Sequence, residues 1–473
     1  MDEMQNQTPS SKERRKRVLT PFDRFSQTYL PAVIGGIALI LILIFVVGSV
    51  IQGFQYRTLV KQLTHEAQIA AQEELARLNQ EVADLADAAA ELAGQYDYNG
   101  AIQVLKSFSG NMKDFPALEQ LIAAYEDELA TLVQWSDFAA IPNLSFEMLI
   151  ADAQRAFNDA KYASSYKKNF ITTEEFKLIL EQLYKNGYIL ISLDHLYEYK
   201  ETDSGVSYFV EKELLLPEGK KPLLLTQTQV NYNLYMVDSD GDWVADAGGA
   251  GFASKLILDD NGNFANEFVT ADGTLEVGAY DLIPILESFI ATHPDFSYRG
   301  ARATIALTGY NGLFGYRTHA EAAQKLGEDV YNQEIENAKT IANALQNAGY
   351  KLACYTYENK DYSKLTTAKI EADMSGWTAE VIPILGQVDT FVFAKNADLA
   401  TATAPYNSES YRILESFGFQ FYLGYCKDGK PWVNVNDQYV RQGRIAVTAN
   451  NLINKKSWFN DILDPSAVLA EAR

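Results

Sequence analysis

The run from Ala32 to Ile51 carries no charge and is made almost wholly of Ile, Leu, Val, Ala and Gly. A helix rises about 1.5 Å per residue, so a run of this length covers the roughly 30 Å of a bilayer's hydrocarbon. The sequence therefore predicts a transmembrane helix over 32–52. Lys12, Arg14, Arg15, Lys16, Arg17 and Arg24 precede it, whereas only Arg57 and Lys61 follow closely. That asymmetry keeps the N-terminus inside. The expected topology is a basic cytoplasmic tail over 1–31, a single pass through the plasma membrane, and an extracellular C-terminal domain. A cleaved signal peptide fits less well, because its apolar core is usually only about 7–15 residues and no small-x-small pattern follows the run.

The formal charge of −22 falls on the exported part. Nucleic acid is excluded as a partner, since phosphate binding needs clustered Lys and Arg to release counterions. The basic tail is read as an orientation signal that is attracted to anionic lipid. With only Cys354 and Cys426, disulfides cannot be the main support of so large a body. A hydrophobic core must hold it, and the sequence leaves open whether the two cysteines pair.

From about Thr58 to Ala93 the chain is rich in Ala, Leu, Glu and Gln, without Gly or Pro, and Leu75, Leu78, Val82 and Leu85 recur at helical spacing. This predicts a stalk helix. Amphipathic segments at Tyr98–Phe108 and Phe115–Trp135 complete an expected helical stalk over 56–138 with a weakly tetratricopeptide-like hairpin. Beyond Pro142 strands and helices alternate. Thr172–Asn186 reads as a helix with cap-type residues at its start, and Tyr188–Leu193, Pro222–Thr226, Arg302–Leu307 and Tyr350–Tyr355 read as strands. The helix expected over Asn332–Gly349 joins the last two into a βαβ unit. The body is α/β.

Phrases of this body, in order, resemble the polysaccharide deacetylases, the fourth family of carbohydrate esterases, in their membrane-anchored bacterial form. They are FEMLIAD with FITTEEFKLILEQLYKNGYILISL, LLLTQTQVNYNLYM, GFASKLILDDNG, YDLIPILESFIATHPDFSYRGARATIALTGYNGLFGYRT and NAKTIANALQNAGYKLACYTYENKDYS. The resemblance implies a distorted (β/α) barrel over 141–465. It also implies a metal-dependent site at the strand ends that removes acetyl groups from N-acetylated sugars.

The same resemblance places the family's Asp-Asp pair, base and metal ligand, on Thr228 and Gln229. The family's His-x-x-x-His pair falls on Tyr355 and Asn359, and Glu147 stands where related sequences often carry His. Zinc-type ions prefer imidazole, thiolate or carboxylate ligands, and Thr cannot take a proton from water near neutral pH. The four histidines, His65, His195, His293 and His319, offer no His-x-x-x-His. The catalytic motifs are therefore read as degenerate, with no catalytic residue and no metal at the family site.

Asp238, Asp240, Asp242 and Asp246 have the spacing of a calcium loop, but Trp243 stands where such loops usually carry Gly. They are weak calcium candidates; otherwise no cofactor is expected. Tyr232, Tyr235, Tyr310, Tyr316, Tyr355, Tyr357 and Trp432 offer flat faces to a sugar ring, and Asn231, Arg317 and Lys395 offer hydrogen bonds. The glycan-binding candidates are Asn231, Tyr232, Tyr310, Arg317, Tyr355, Tyr357 and Lys395.

The sequence reading is a membrane-anchored, catalytically inactive deacetylase-like protein that binds cell-wall or surface polysaccharide. One alternative is an active carbohydrate deacetylase with an atypical metal site drawn from carboxylates such as Asp238, Asp242 or Asp373. The other is an interaction module for a protein partner, such as an active paralogue.

Overall fold

A computed structural model describes residues 34–40, 42, 54–202 and 205–469. Most of the expected membrane span lies outside the described residues, although 34–40 and 42 are helical. Among the described residues no helix is long and apolar enough to cross a membrane. The chain divides into two units, 1–83 and 84–473. Helix α1, Phe54–Ala93, supplies most of what is described in the first.

In the second unit, α2 (Tyr98–Lys106) and α3 (Pro116–Thr131) pack as a helical pair. Asp97 caps α2 through the Gly100 N–H, and Pro116 opens α3, where its missing N–H costs nothing. Leu118 and Leu105 bury the seam.

Seven strands then form a closed ring in chain order. They are β1 (Asn143–Phe146), β2 (Lys221–Thr228), β3 (Thr304–Leu307), β4 (Lys351–Cys354), β5 (Thr390–Val392), β6 (Phe421–Tyr425) and β7 (Val440–Ala446). Each runs parallel to the next, and β7 returns to β1. Parallel neighbours need crossovers, and helices supply five of the six: α4 (Thr173–Lys185), α5 (Leu282–Thr292), α6 (Glu328–Asn347), α7 (Thr367–Gly376) and α8 (Glu409–Ser416), while β6 reaches β7 through the short strand Val433–Val435, antiparallel to β7. This is a (β/α) barrel.

Two sets of buried residues follow from the strand alternation. Leu144, Phe146, Leu225, Ile305, Leu352, Cys354, Phe391 and Ile445 face outward into the helix layer. Leu224, Ala306, Ala353, Tyr355, Val392, Leu423 and Val440 form a separate inner cluster. The same parity carries polar residues inward on β1, β2 and β7: Thr226 donates to Asn143 at 2.8 Å, and Asn143 donates to Gln442 at 3.3 Å.

Several expectations need adjusting. The strand expected at Tyr188–Leu193 is Tyr188–Leu190, and it pairs with the start of β2 outside the ring. An antiparallel three-stranded sheet, Lys255–Leu258, Phe264–Val269 and Leu275–Gly278, sits in the chain between β2 and α5. Cys354 and Cys426 are both buried and unpaired.

Candidate functional site

Ligand sites of (β/α) barrels gather where the strands end, because the loops there converge on one face. Here a cleft of about 400 Å³ lies at that end, lined by residues of β1, β2 and β7 and of the loops that follow β1, β2, β4, β5 and β7. The inward parity sends Ser145, Thr228 and Arg444 from the strands themselves toward it. Glu147 and Tyr355 follow β1 and β4 by one residue. The four positions singled out by the resemblance, Thr228, Gln229, Tyr355 and Asn359, all line this one cleft, as do Glu147 and Lys395.

Their side chains are already engaged with one another. Gln229 donates from Nε2 to Glu147 Oε2 at 2.5 Å, and its Oε1 accepts from Asn359 Nδ2 at 2.6 Å. Thr228 donates to the Phe146 carbonyl at 3.3 Å. Burial pushes the Glu147 carboxyl up, against the pull of Gln229, Arg444 and Lys395. Burial also raises the Tyr355 hydroxyl, and the Glu147 charge adds to it. Tyr355 is thus a neutral phenol.

A zinc-type site needs three or four imidazole, thiolate or carboxylate donors. The lining offers one carboxylate, and that carboxylate accepts an amide N–H. The amide oxygen of Gln229 accepts from Asn359, and an amide oxygen is in any case a poor zinc ligand. The residues present do not fit such an ion. Asp373, a candidate for an atypical set, is buried and accepts from the Tyr357 N–H and the Tyr362 hydroxyl at 2.7 and 2.6 Å. Asp238, Asp240 and Asp246 hold oxygens within 4.8 Å of one another in a loop outside the cleft, and Asp242 is not in that group. Asp238 there accepts the Gly241 and Trp243 N–H groups, while Trp243 takes the left-handed backbone at φ 75°.

Three polar atoms of the cleft lining have no hydrogen-bond partner among the described residues: Tyr166 Oη, Asn359 Oδ1 and Arg444 Nε. Tyr166 and Arg444 are only 1% and 3% exposed. Unpaired buried polar atoms cost about 1–3 kcal/mol each. Arg444 spends its other nitrogens on Ser145 Oγ and the Phe393 carbonyl at 2.8 and 2.9 Å.

Backbone strain collects at the same rim. Gln229, Asn359, Lys395 and Asn396 adopt φ of 59°, 52°, 58° and 56°, and Thr356 beside Tyr355 adopts 62°. Left-handed non-glycine residues cost about 1–2 kcal/mol each and persist where the surroundings impose them, often at binding sites.

One wall is aromatic. Tyr162 lies edge-on to Tyr235 at 5.3 Å, Tyr166 lies edge-on to Phe170 at 5.5 Å, and all four line the cleft. Tyr162, Tyr166 and Phe170 were not among the residues expected from sequence, although their spacing of four marks one helical face. Arg444 also went unread, because β7, with the sequence VRQGRIA, gives no apolar run against which its charge would stand out.

The other sequence candidates lie elsewhere. Asn231, fully buried, ties the Thr308 and Gly312 carbonyls together. Tyr232 donates to Asp281 at 2.8 Å, and Arg317 donates to the Tyr232 carbonyl at 2.9 Å. Tyr357 is buried against Gly309 and Gly376, and half-exposed Tyr310 is not among the lining residues. Asn231, Tyr232 and Arg317 spend their polar groups on the fold, leaving Tyr355 and Lys395 as the glycan candidates that line the cleft.

No family model and no curated protein matches the chain. Among solved structures, the Streptococcus pyogenes deacetylase PplD in complex with acetate aligns over 68% of this chain and 95% of that one, at 11% identity and a TM-score of 0.33. At that score the likeness carries no argument, and the barrel stands on its own strand pairings.

Proposed function

We propose that this protein is a non-catalytic relative of the polysaccharide deacetylases, held at the cell surface by its N-terminal span, whose strand-end cleft binds an N-acetylated envelope glycan. The observation that carries the reading is the hydrogen-bonded series Glu147, Gln229, Asn359. Gln229 and Asn359 stand where the resemblance calls for metal ligands, and Glu147 where related sequences often carry His. The lining has no imidazole, and its one carboxylate, Glu147, accepts the Gln229 amide N–H, so the donor set that would hold a water-activating metal is incomplete. The uncharged run at 32–52 and its basic flank support the anchor.

A sugar ring can lie against Tyr162, Phe170 and Tyr235 while its hydroxyl and acetamide groups meet exposed Lys395 and Asn396. Calorimetric titration of the full chain in detergent with chitotetraose tests this. The expected result is saturable binding that Tyr235→Ala weakens roughly tenfold. Absence of binding rejects the proposal.

A further inference from the structure

A second and larger cleft, of about 760 Å³, opens at the ends of β5 and β6 on the same face of the barrel. It shares Lys395 and Asn396 with the first, so the two clefts adjoin along that edge and are taken together as one groove. Its charge runs against that of the chain. Two of its three carboxylates are neutralised locally: Asp361 pairs with Lys364 at 2.6 Å, and Asp398 pairs with buried Arg441 at 3.0 Å. The third, Asp428, accepts the Lys430 backbone N–H at 3.1 Å. Lys395, Lys427 and Lys430 are exposed, line the cleft, and have no ion-pair partner among the described residues.

Three unneutralised lysines against one carboxylate make an excess of positive charge on a chain of net charge −22. A cleft wall of one sign concentrates ligands of the other. Trp432 and Tyr425 line the same cleft and give it an apolar side as well as a charged one. A purely inorganic anion would leave that side unused, whereas a sugar ring bearing an anionic group uses both. Lys395, in its left-handed conformation at the junction, serves both clefts.

We propose that the groove takes an acidic glycan: an N-acetylated ring in the first cleft and a neighbouring ring carrying carboxylate or phosphate against Lys427 and Lys430 in the second. This rests on the glycan reading above and adds the charge class of the ligand.

Full-chain protein in detergent is titrated with chitotetraose, a hyaluronan tetrasaccharide and a polymer of N-acetylglucosamine 1-phosphate. The expected result is that at least one acidic ligand binds roughly tenfold more tightly than chitotetraose, and that the preference fades as salt rises. Preference for the hyaluronan or for the phosphate polymer supports the proposal and identifies the anion. K427Q/K430Q should abolish the preference while leaving chitotetraose affinity unchanged. Equal affinity for neutral and acidic ligands, or a preference that survives K427Q/K430Q, overturns this inference and leaves the glycan reading standing. Loss of all three interactions overturns both.

Discussion

Asn359 donates its amide N–H to Gln229 across 2.6 Å, joining the loop after β4 to the end of β2 over a separation of 130 residues. Gln229 in turn holds Glu147. Three neutral or hydrogen-bonded groups thus tie three barrel strands together at one point. Replacing Gln229 by Ala strands both partners in a half-buried setting, where an unmet polar group costs about 1–3 kcal/mol. Denaturant unfolding should show Gln229→Ala destabilised by that amount. No change in midpoint would mean that the pair forms no part of the fold's support.

The cleft's lack of ligands can be repaired by substitution. Converting the four positions to the family's residues, in T228D/Q229D/Y355H/N359H, supplies two carboxylates and two imidazoles on a barrel face that already brings these positions together. The variant should bind zinc stoichiometrically by elemental analysis after dialysis. If it folds with unchanged circular dichroism and holds no zinc, these positions do not converge as described.

His195 gives a pH dependence with a defined sign. Burial, then Arg299 and Lys212, hold its imidazole down at about 4 from the ordinary 6.5. Its ring packs edge-on to Tyr298 at 5.3 Å. The unfolded chain binds this proton more readily, so the contribution is whole above about pH 6.5 and is lost as pH falls toward 4. A shift of this size corresponds to about 3 kcal/mol. Thermal unfolding between pH 7 and pH 4 should show that loss, and His195→Gln should flatten the curve.

Helix α4 begins at a reciprocal cap. Thr172 Oγ1 accepts the Glu175 N–H at 3.1 Å, and Glu175 accepts the Thr172 N–H at 2.8 Å. Thr172→Ala should cost about 1 kcal/mol of unfolding free energy in urea titration. Thr172→Ser should restore most of it.

Gly312 sits at φ 100°, and a Cβ there would meet the Tyr316 carbonyl oxygen in the turn after β3. Gly312→Ala therefore meets both backbone strain and a backbone clash. Unfolding experiments should place it at a loss above about 2 kcal/mol.

What the sequence made readable follows from how each segment is buried. β2, β3 and β4 show as apolar runs because their inner faces also carry apolar residues such as Leu224, Ala306 and Ala353. β1 and β7 did not, since half of each faces inward with Asn143, Ser145, Gln442 and Arg444, which breaks the hydrophobic run. β5 is three residues long and gives no period to read. At the site, Thr228, Gln229, Tyr355 and Asn359 were legible through motif order. The aromatic wall was not, because Tyr162 and Tyr166 reach the cleft only through the tertiary path from β1 to α4. Asn231, Tyr232 and Arg317 looked functional by composition, and only their hydrogen bonds reveal them as internal ties.

Binding without cleavage is what the proposed function requires of this groove. The most direct measurement is acetate release from N-acetylated oligosaccharides by the full chain, assayed with added zinc and cobalt alongside its metal content. The expected result is no acetate above the uncatalysed background and no stoichiometric transition metal. Metal-dependent acetate release that disappears in Gln229→Ala would contradict it.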